Sequence, residues 1–209
     1  GAKSGITLAD GTYVLLNAGS KLSYTSSYNH KTREVDLSGE GYFIVAKNKA
    51  KPFRVQAGGV IINALGTAFN VKAYPEDRTV ETTLVEGSVS IRKEGMGTTR
   101  KSVILKPNQH AVYYKTDEEV GIGQGTAGPV STVPAASEKP LQSIKGKIIL
   151  TPKIEPEVYV SWKDKRWVFH SEPFGEFAKE LERLYDISIL IEDKELSNYK
   201  LTGSIEEEN

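Results

Sequence analysis

The sequence predicts a mainly β protein: an N-terminal all-β sandwich or stacked β-roll, followed by a small α+β (β-β-α-β) unit. Three observations predict it. Between residues 6 and 114, short runs rich in Val, Ile, Leu, Thr, Tyr and Phe are separated by Gly, Asn, Pro and Lys clusters, as in strands broken by turns. Residues 117–140 then lose large apolar groups and gain Gly121, Gly123, Gly125, Gly128, Pro129, Pro134 and Pro140, the composition of a linker. Finally, residues 174–185 carry apolar side chains at helical spacing. The boundaries predicted are an all-β domain over 1–116, a linker and lead-in over 117–157 and a small α+β domain over 158–209.

In the first domain the period of two is explicit. Phe69, Val71 and Ala73, then Val80, Thr82 and Leu84, then Val89 and Ile91 alternate with other residues, so one face of each strand is buried. Asp10-Gly11, Gly58-Gly59, Glu86-Gly87 and Pro107-Asn108 sit between such runs. Glycine supplies positive φ there, and proline presets a turn. About ten strands fit this stretch, which leaves sandwich and β-roll both open.

Residues 144–159 have strand character at Ile148, Ile149 and Leu150, broken by Pro152 and Pro156, and read as an edge hairpin or an extended lead-in. In the second domain, 158–162 and 166–169 read as strands around Lys163-Asp164-Lys165. Ser171 then reads as the cap of a helix with Pro173 in its first turn. Phe174, Phe177, Ala178, Leu181, Leu184 and Tyr185 form one apolar stripe, with Glu176, Lys179, Glu180 and Arg183 opposite. Ile187, Ile189 and Ile191 alternate as a further strand, and 199–205 reads as the last one. A sheet of this size would normally be covered by another helix, so the domain reads as truncated.

Composition narrows the function. Lys plus Arg and Asp plus Glu are 27 each, so overall charge does not favour a polyanionic partner such as nucleic acid. The acidic run Glu206-Glu207-Glu208 reads as a solvated tail. With no cysteine, disulfides, thiolate metal sites and a Cys nucleophile are excluded. Neither a signal peptide nor an apolar run long enough to span a bilayer is visible.

No catalytic constellation emerges. The glycines of 121–128 do not open a helix, as a phosphate-binding loop would require, because Pro129 and Pro134 follow. His30, His110 and His170 lie far apart, without metal-ligand spacing. No G-x-S-x-G elbow is present. Glu76-Asp77 and Glu118-Glu119 fall in turns without apolar surroundings to tune an acid against a base. Trp162 and Trp167, beside Lys163 and Arg166, read as core anchors of a small domain rather than stacking platforms. No metal and no organic cofactor is expected.

Several segments nevertheless resemble a known family. Residues 8–17 (LADGTYVLLN), 33–43 (REVDLSGEGYF), 52–55 (PFRV), 65–74 (LGTAFNVKAY), 84–89 (LVEGSV) and 105–109 (LKPNQ) resemble the FecR domain, in the same order. Trp162, Trp167-Val168-Phe169, Pro173-Phe174, 181–185 (LERLY) and 201–203 (LTG) resemble the C-terminal domain of Bacteroides-type FecR regulators. Lys165 departs from that pattern, in which Gly is frequent.

The resemblance implies a non-enzymatic regulator: a single-pass inner-membrane protein whose cytoplasmic segment holds an extracytoplasmic-function sigma factor. Its periplasmic part receives a signal from a TonB-dependent outer-membrane transducer. This chain is expected to be that periplasmic part, with sigma binding and the membrane anchor outside it. The second domain is expected to dock the transducer's signalling domain through a sheet edge and the end of its helix, since an edge strand offers unpaired backbone groups. Candidate partner-binding residues are Arg183, Tyr185, Tyr199, Leu201 and Thr202. The rival readings are a carbohydrate-binding β module of the cell envelope, using exposed Tyr13, Tyr24 or Tyr28, and a hydrolase with a polar pocket around His110.

Overall fold

The structure, a computed structural model, describes residues 2–95, 102–115, 148–164 and 166–206. The glycine- and proline-rich stretch over 121–140, Glu118-Glu119 and Lys165 lie outside the described residues. In chain order the first strands are β1 (Ser4–Thr7), β2 (Tyr13–Leu16), β3 (Lys21–Ser23), β4 (Arg33–Ile44), β5 (Phe53–Ala57) and β6 (Val60–Ala64). They are followed by β7 (Ala68–Ala73), β8 (Thr79–Glu86), β9 (Val89–Lys93), β10 (Val103–Leu105), β11 (Gln109–Tyr114) and β12 (Ile148–Pro152).

These twelve strands form one sheet that folds over on itself and comes close to closing as a barrel. The long strand β4 makes the fold-over possible. Its first half pairs with β3 and, in parallel, with β5, and its second half pairs with β2 and β7. One layer thus runs β1-β2-β4-β7-β8-β11-β12 and the other β3-β4-β5-β6-β9-β10. The change of partners occurs at Gly39, whose φ is +104°, a conformation that side-chain-bearing residues rarely adopt. The alternating residues meet between the layers: Phe43, Phe69, Val71 and Leu84 from one, Val35, Phe53, Val55 and Ile62 from the other. Phe43 stacks on Phe69 at 5.1 Å and tilts against Phe53 at 5.9 Å. Three of the four predicted turn pairs fall between consecutive strands, and the fourth, Glu86-Gly87, begins on the last residue of β8.

The C-terminal region differs from its sequence pattern in three places. Residues 158–162, expected as a strand, lie in a short helix α1 (Glu157–Val160) and a 3-10 turn, Ser161–Asp164. Pro156 precedes them with φ near −59°, which starts a helix more readily than a strand. The first strand of this region is β13 (Arg166–Pro173), antiparallel to β14 (Lys200–Glu206). Ser171 does not cap the helix: it lies in β13 with φ +53° at a bulge, and Pro173 occupies the N-cap position of α2 (Phe174–Tyr185).

Residues 187–191 form no strand either. Asp186 ends α2 in the left-handed conformation. The N–H groups of Ile187 and Ile189 then bond back to the backbone carbonyl and the side chain of Glu182, so no ladder forms. The unit is therefore β-α-β, with α2 packed on a two-stranded sheet. Trp167 stacks on Phe177 at 4.8 Å, and Phe169 meets Phe177 edge-on.

Candidate functional site

The layer containing β4, β7, β8 and β11 sends its apolar residues inward, so the intervening residues point to its outer face. Register aligns them in two rows. Glu40, Lys72 and Glu81 lie side by side on β4, β7 and β8. Two residues along, Tyr42, Asn70, Thr83 and His110 form the second row on β4, β7, β8 and β11. An outer face of this polarity is usually solvated, yet Glu40, Asn70, Thr83 and His110 are buried to within 5% of complete. The C-terminal region covers them.

The cover touches the sheet at three points. Trp162, buried in the 3-10 turn, packs with Val160 against Tyr42, with Leu15, Ala68 and Val85 around them. Its indole N–H donates to Asn70 Oδ1 at 3.3 Å, and Asn70 Nδ2 donates to Glu40 Oε1 at 2.8 Å. Asn17 Nδ2 donates to the other Glu40 oxygen at 2.8 Å. Tyr159 stacks on the His110 ring at 4.2 Å. The third point is α2, where Glu180 pairs with Lys72 and Arg183 reaches the β7–β8 turn. Between cover and sheet runs a cleft of about 630 Å³, walled by Trp162, Trp167, Lys72, Glu81 and Glu172.

Burial sets the charge states here. It pushes the Glu40 carboxyl up to about 7, against the attraction of Lys72, because an ionised group loses its hydration. Glu172 is likewise pushed up to about 7 by burial, despite Lys72, with Glu81 and Glu180 adding to the rise. Glu180 goes the other way: burial opposes its ionisation, but Lys72 and Arg183 hold it below the usual carboxylate range. Lys72 is held firmly protonated by Glu180, Glu40 and Glu81 against its own burial. Burial lowers the His110 imidazole, whose Nδ1 shares a 2.8 Å hydrogen bond with the Thr83 hydroxyl. Four carboxyls, Glu40, Glu81, Glu172 and Glu180, thus share the field of Lys72.

Of the residues singled out in the sequence, Arg183 lies inside this arrangement. Its guanidinium carbon sits 3.8 Å from the Tyr74 ring centroid, Nη2 is 2.5 Å from Asp77 and 2.8 Å from Glu76, and Nη1 is 3.0 Å from Glu180. Tyr185 and Tyr199 are more than half exposed. Leu201 pairs with Glu172 across the ribbon, and the Thr202 hydroxyl accepts the Ser171 N–H at 2.9 Å. Tyr28 is buried, while Tyr13 and Tyr24 are exposed. Glu40, Asn70 and Lys72 stand in the segments that resemble the FecR domain and Glu180 on the polar side of the helix, but no local pattern joins them.

Hydrogen bonds join Trp162, Asn70 and Glu40, and ion pairs join Lys72, Glu180, Arg183 and Asp77, an arrangement suited to holding two parts of a chain together. Among the described residues no cluster of three His, Cys, Asp or Glu side chains is placed to hold a metal ion, and no helix is long and apolar enough to cross a membrane. The profile of the FecR protein family matches residues 1–90, and that of the FecR C-terminal domain matches residues 166–209. The chain belongs to the FecR family. Its fold recurs in two crystal structures of a protein from Parabacteroides distasonis ATCC 8503 described as a "putative anti-sigma factor". They are 23% and 24% identical to this FecR-family chain, with TM-scores of 0.76 and 0.75, and each match covers 100% of this chain and 82% of the other. No curated protein matches it.

Proposed function

We propose that this FecR-family chain is the sensor and relay part of an anti-sigma regulator, working by protein–protein contact rather than catalysis. The observation that carries this reading is the succession of FecR and FecR C-terminal domains, with the second region seated on the first through a bonded polar face. The description of the structural neighbours as anti-sigma factors agrees with it. In this reading the chain lies in the periplasm, the signal comes from the signalling domain of a TonB-dependent outer-membrane transducer, and sigma-factor control runs through a segment outside this sequence.

The docking surface in this reading is the β13–β14 ribbon and the end of α2. Among the described residues β14 pairs only with β13, and a strand with one free edge accepts a further strand. Tyr185 and Tyr199 are exposed beside it, as are Ile187 and Leu190. The experiment is calorimetric titration of transducer signalling domains into the chain. Tyr185→Ala with Tyr199→Ala should weaken binding about ten-fold or more, as loss of aromatic anchors does, while leaving the thermal midpoint in place. Binding that survives both changes, or that depends on residues of the first domain, would overturn the docking assignment.

A further inference from the structure

We propose that the C-terminal region is a releasable cover on the β-domain: Arg183 and Lys72 latch it across the outer sheet face, and release turns that face into an accessible interaction surface. This inference does not depend on which partner the chain meets.

The composition of the contact supports release over permanent fusion. Its apolar part is small, confined to Val160, Trp162 and Tyr159 against Tyr42, Leu15, Ala68 and Val85. The rest is charge. Arg183 binds Asp77 and Glu76 of the β7–β8 turn, and Lys72 of β7 binds Glu180 of α2. Interfaces of this polarity between parts of one chain ordinarily permit relative motion. Charge pairs removed from water are also close to balance, their attraction offset by lost hydration. Lys72 is also contested, because Glu40 and Glu81 flank it on the neighbouring strands while it holds Glu180 of α2.

The latch is wired to the cover's apolar plug. Arg183 and Glu180 lie on one side of α2, whereas Phe177 of the same helix packs on Trp167 and Phe169 of β13. The turn that carries Trp162 is tied to β13 by the bond from Val168 N–H to Ser161 Oγ at 2.9 Å. Moving α2 off the β7–β8 turn therefore draws on the element that seats Trp162. Release would expose the row Tyr42, Asn70 and Thr83 together with Leu15, Ala68 and Val85, an apolar strip edged by hydrogen-bonding groups. Such a strip fits the chain's own C-terminal region first, and in its absence an amphipathic segment carrying one large aromatic side chain.

The test exploits the chain's two tryptophans. In a 15N-labelled sample, the two indole N–H signals are assigned by Trp162→Phe, and hydrogen exchange of the Trp162 proton is followed in wild type, Arg183→Gln and Lys179→Gln. Arg183→Gln should speed that exchange about ten-fold or more, the worth of hydrogen bonds to a charged group, and raise the radius of gyration. Lys179→Gln, on an exposed pair with Glu176, should do neither. If Arg183→Gln fails to fold, salt replaces it: in wild type, raising salt from 0.1 M to 1 M shortens the screening length from about 10 Å to about 3 Å and should speed the same exchange. Unchanged Trp162 exchange and unchanged dimensions in a folded Arg183→Gln, or in wild type at high salt, would overturn the proposal.

Discussion

Arg183 Nη2 lies 2.5 Å from Asp77 Oδ1, a contact between residues 106 apart in the chain. With Tyr74 stacked under the guanidinium, Arg183 uses its plane as well as its charge, so lysine is not a conservative replacement. A double-mutant cycle with Arg183→Met and Asp77→Asn, read by urea unfolding, should give a coupling energy of about 1–3 kcal/mol, as for residues within one network. Arg183→Lys should recover less than half of the loss. Additive single effects would mean that the two side chains act independently.

Acidity should act on the buried carboxyls beside this contact in defined directions. Glu40 faces Lys72, Tyr74 and Asn70 on its own layer, Asn17 beside β3, and Glu180 on α2; Glu172 faces Lys72, Glu81, Glu176 and Glu180. Both carboxyls stand at about 7 in the folded chain against 4.5 for an unperturbed glutamate. The folded state therefore holds their protons more tightly. Stability from this source is complete below pH 4.5, falls as pH rises to about 7 and levels off beyond. Glu180 works oppositely, its contribution being lost in acid. Urea midpoints should decline from about pH 5 to about pH 8, and Glu40→Gln should flatten the decline. A Glu40→Gln chain with the wild-type profile would remove Glu40 from the account.

The inner face of the β-domain was legible because alternation of Phe69, Val71 and Ala73 with polar residues admits one register. The outer face was not. Asn70 and Lys72 at the intervening positions read equally well as solvated, and what buries them, Trp162 and Glu180, lies 92 and 108 residues away. On α2 periodicity marks an apolar stripe but is silent on whether the charges opposite it, Glu180 and Arg183 among them, meet solvent or countercharge. Residues 187–191 had the alternation of a strand but lacked a neighbouring strand to complete a ladder. Sequence period specifies a face, and its partner comes only from the tertiary fold.

Gly39 provides a sharper test of the β-domain than any core residue. Its positive φ lets β4 change partners, and a Cβ there would come 2.4 Å from Ser20 Oγ and 2.6 Å from Ser20 Cα. Ser20 cannot yield easily, because its hydroxyl accepts the Glu40 N–H at 2.8 Å. Gly39→Ala should destabilise the chain by more than about 1 kcal/mol. Gly95→Ala, also at positive φ but with no atom within 4 Å, should cost only the conformational strain. Equal thermal midpoints for the two variants would show that the contact with Ser20 is easily relieved.

Asn70 joins the cover to the buried carboxyl, and its two ends predict different costs. The amide oxygen serves the Trp162 indole and the amide nitrogen serves Glu40. Asn70→Ala strands a donor on one side and removes a donor from the carboxyl on the other, at about 1–3 kcal/mol for each buried group left unpaired. Trp162→Phe keeps most of the apolar contact with Tyr42 and leaves the amide oxygen unpaired, so its cost falls at the lower end of that range. Asn70→Asp separates electrostatics from packing. It brings a second carboxylate against Glu40, and the pair then shares a proton readily in acid and repels at neutral pH. Asn70→Asp should therefore approach wild-type stability near pH 5 and lose it steeply toward pH 8, with a red shift of Trp162 emission marking the loss. A variant whose deficit is the same at both pH values would show that the Asn70 amide serves packing alone.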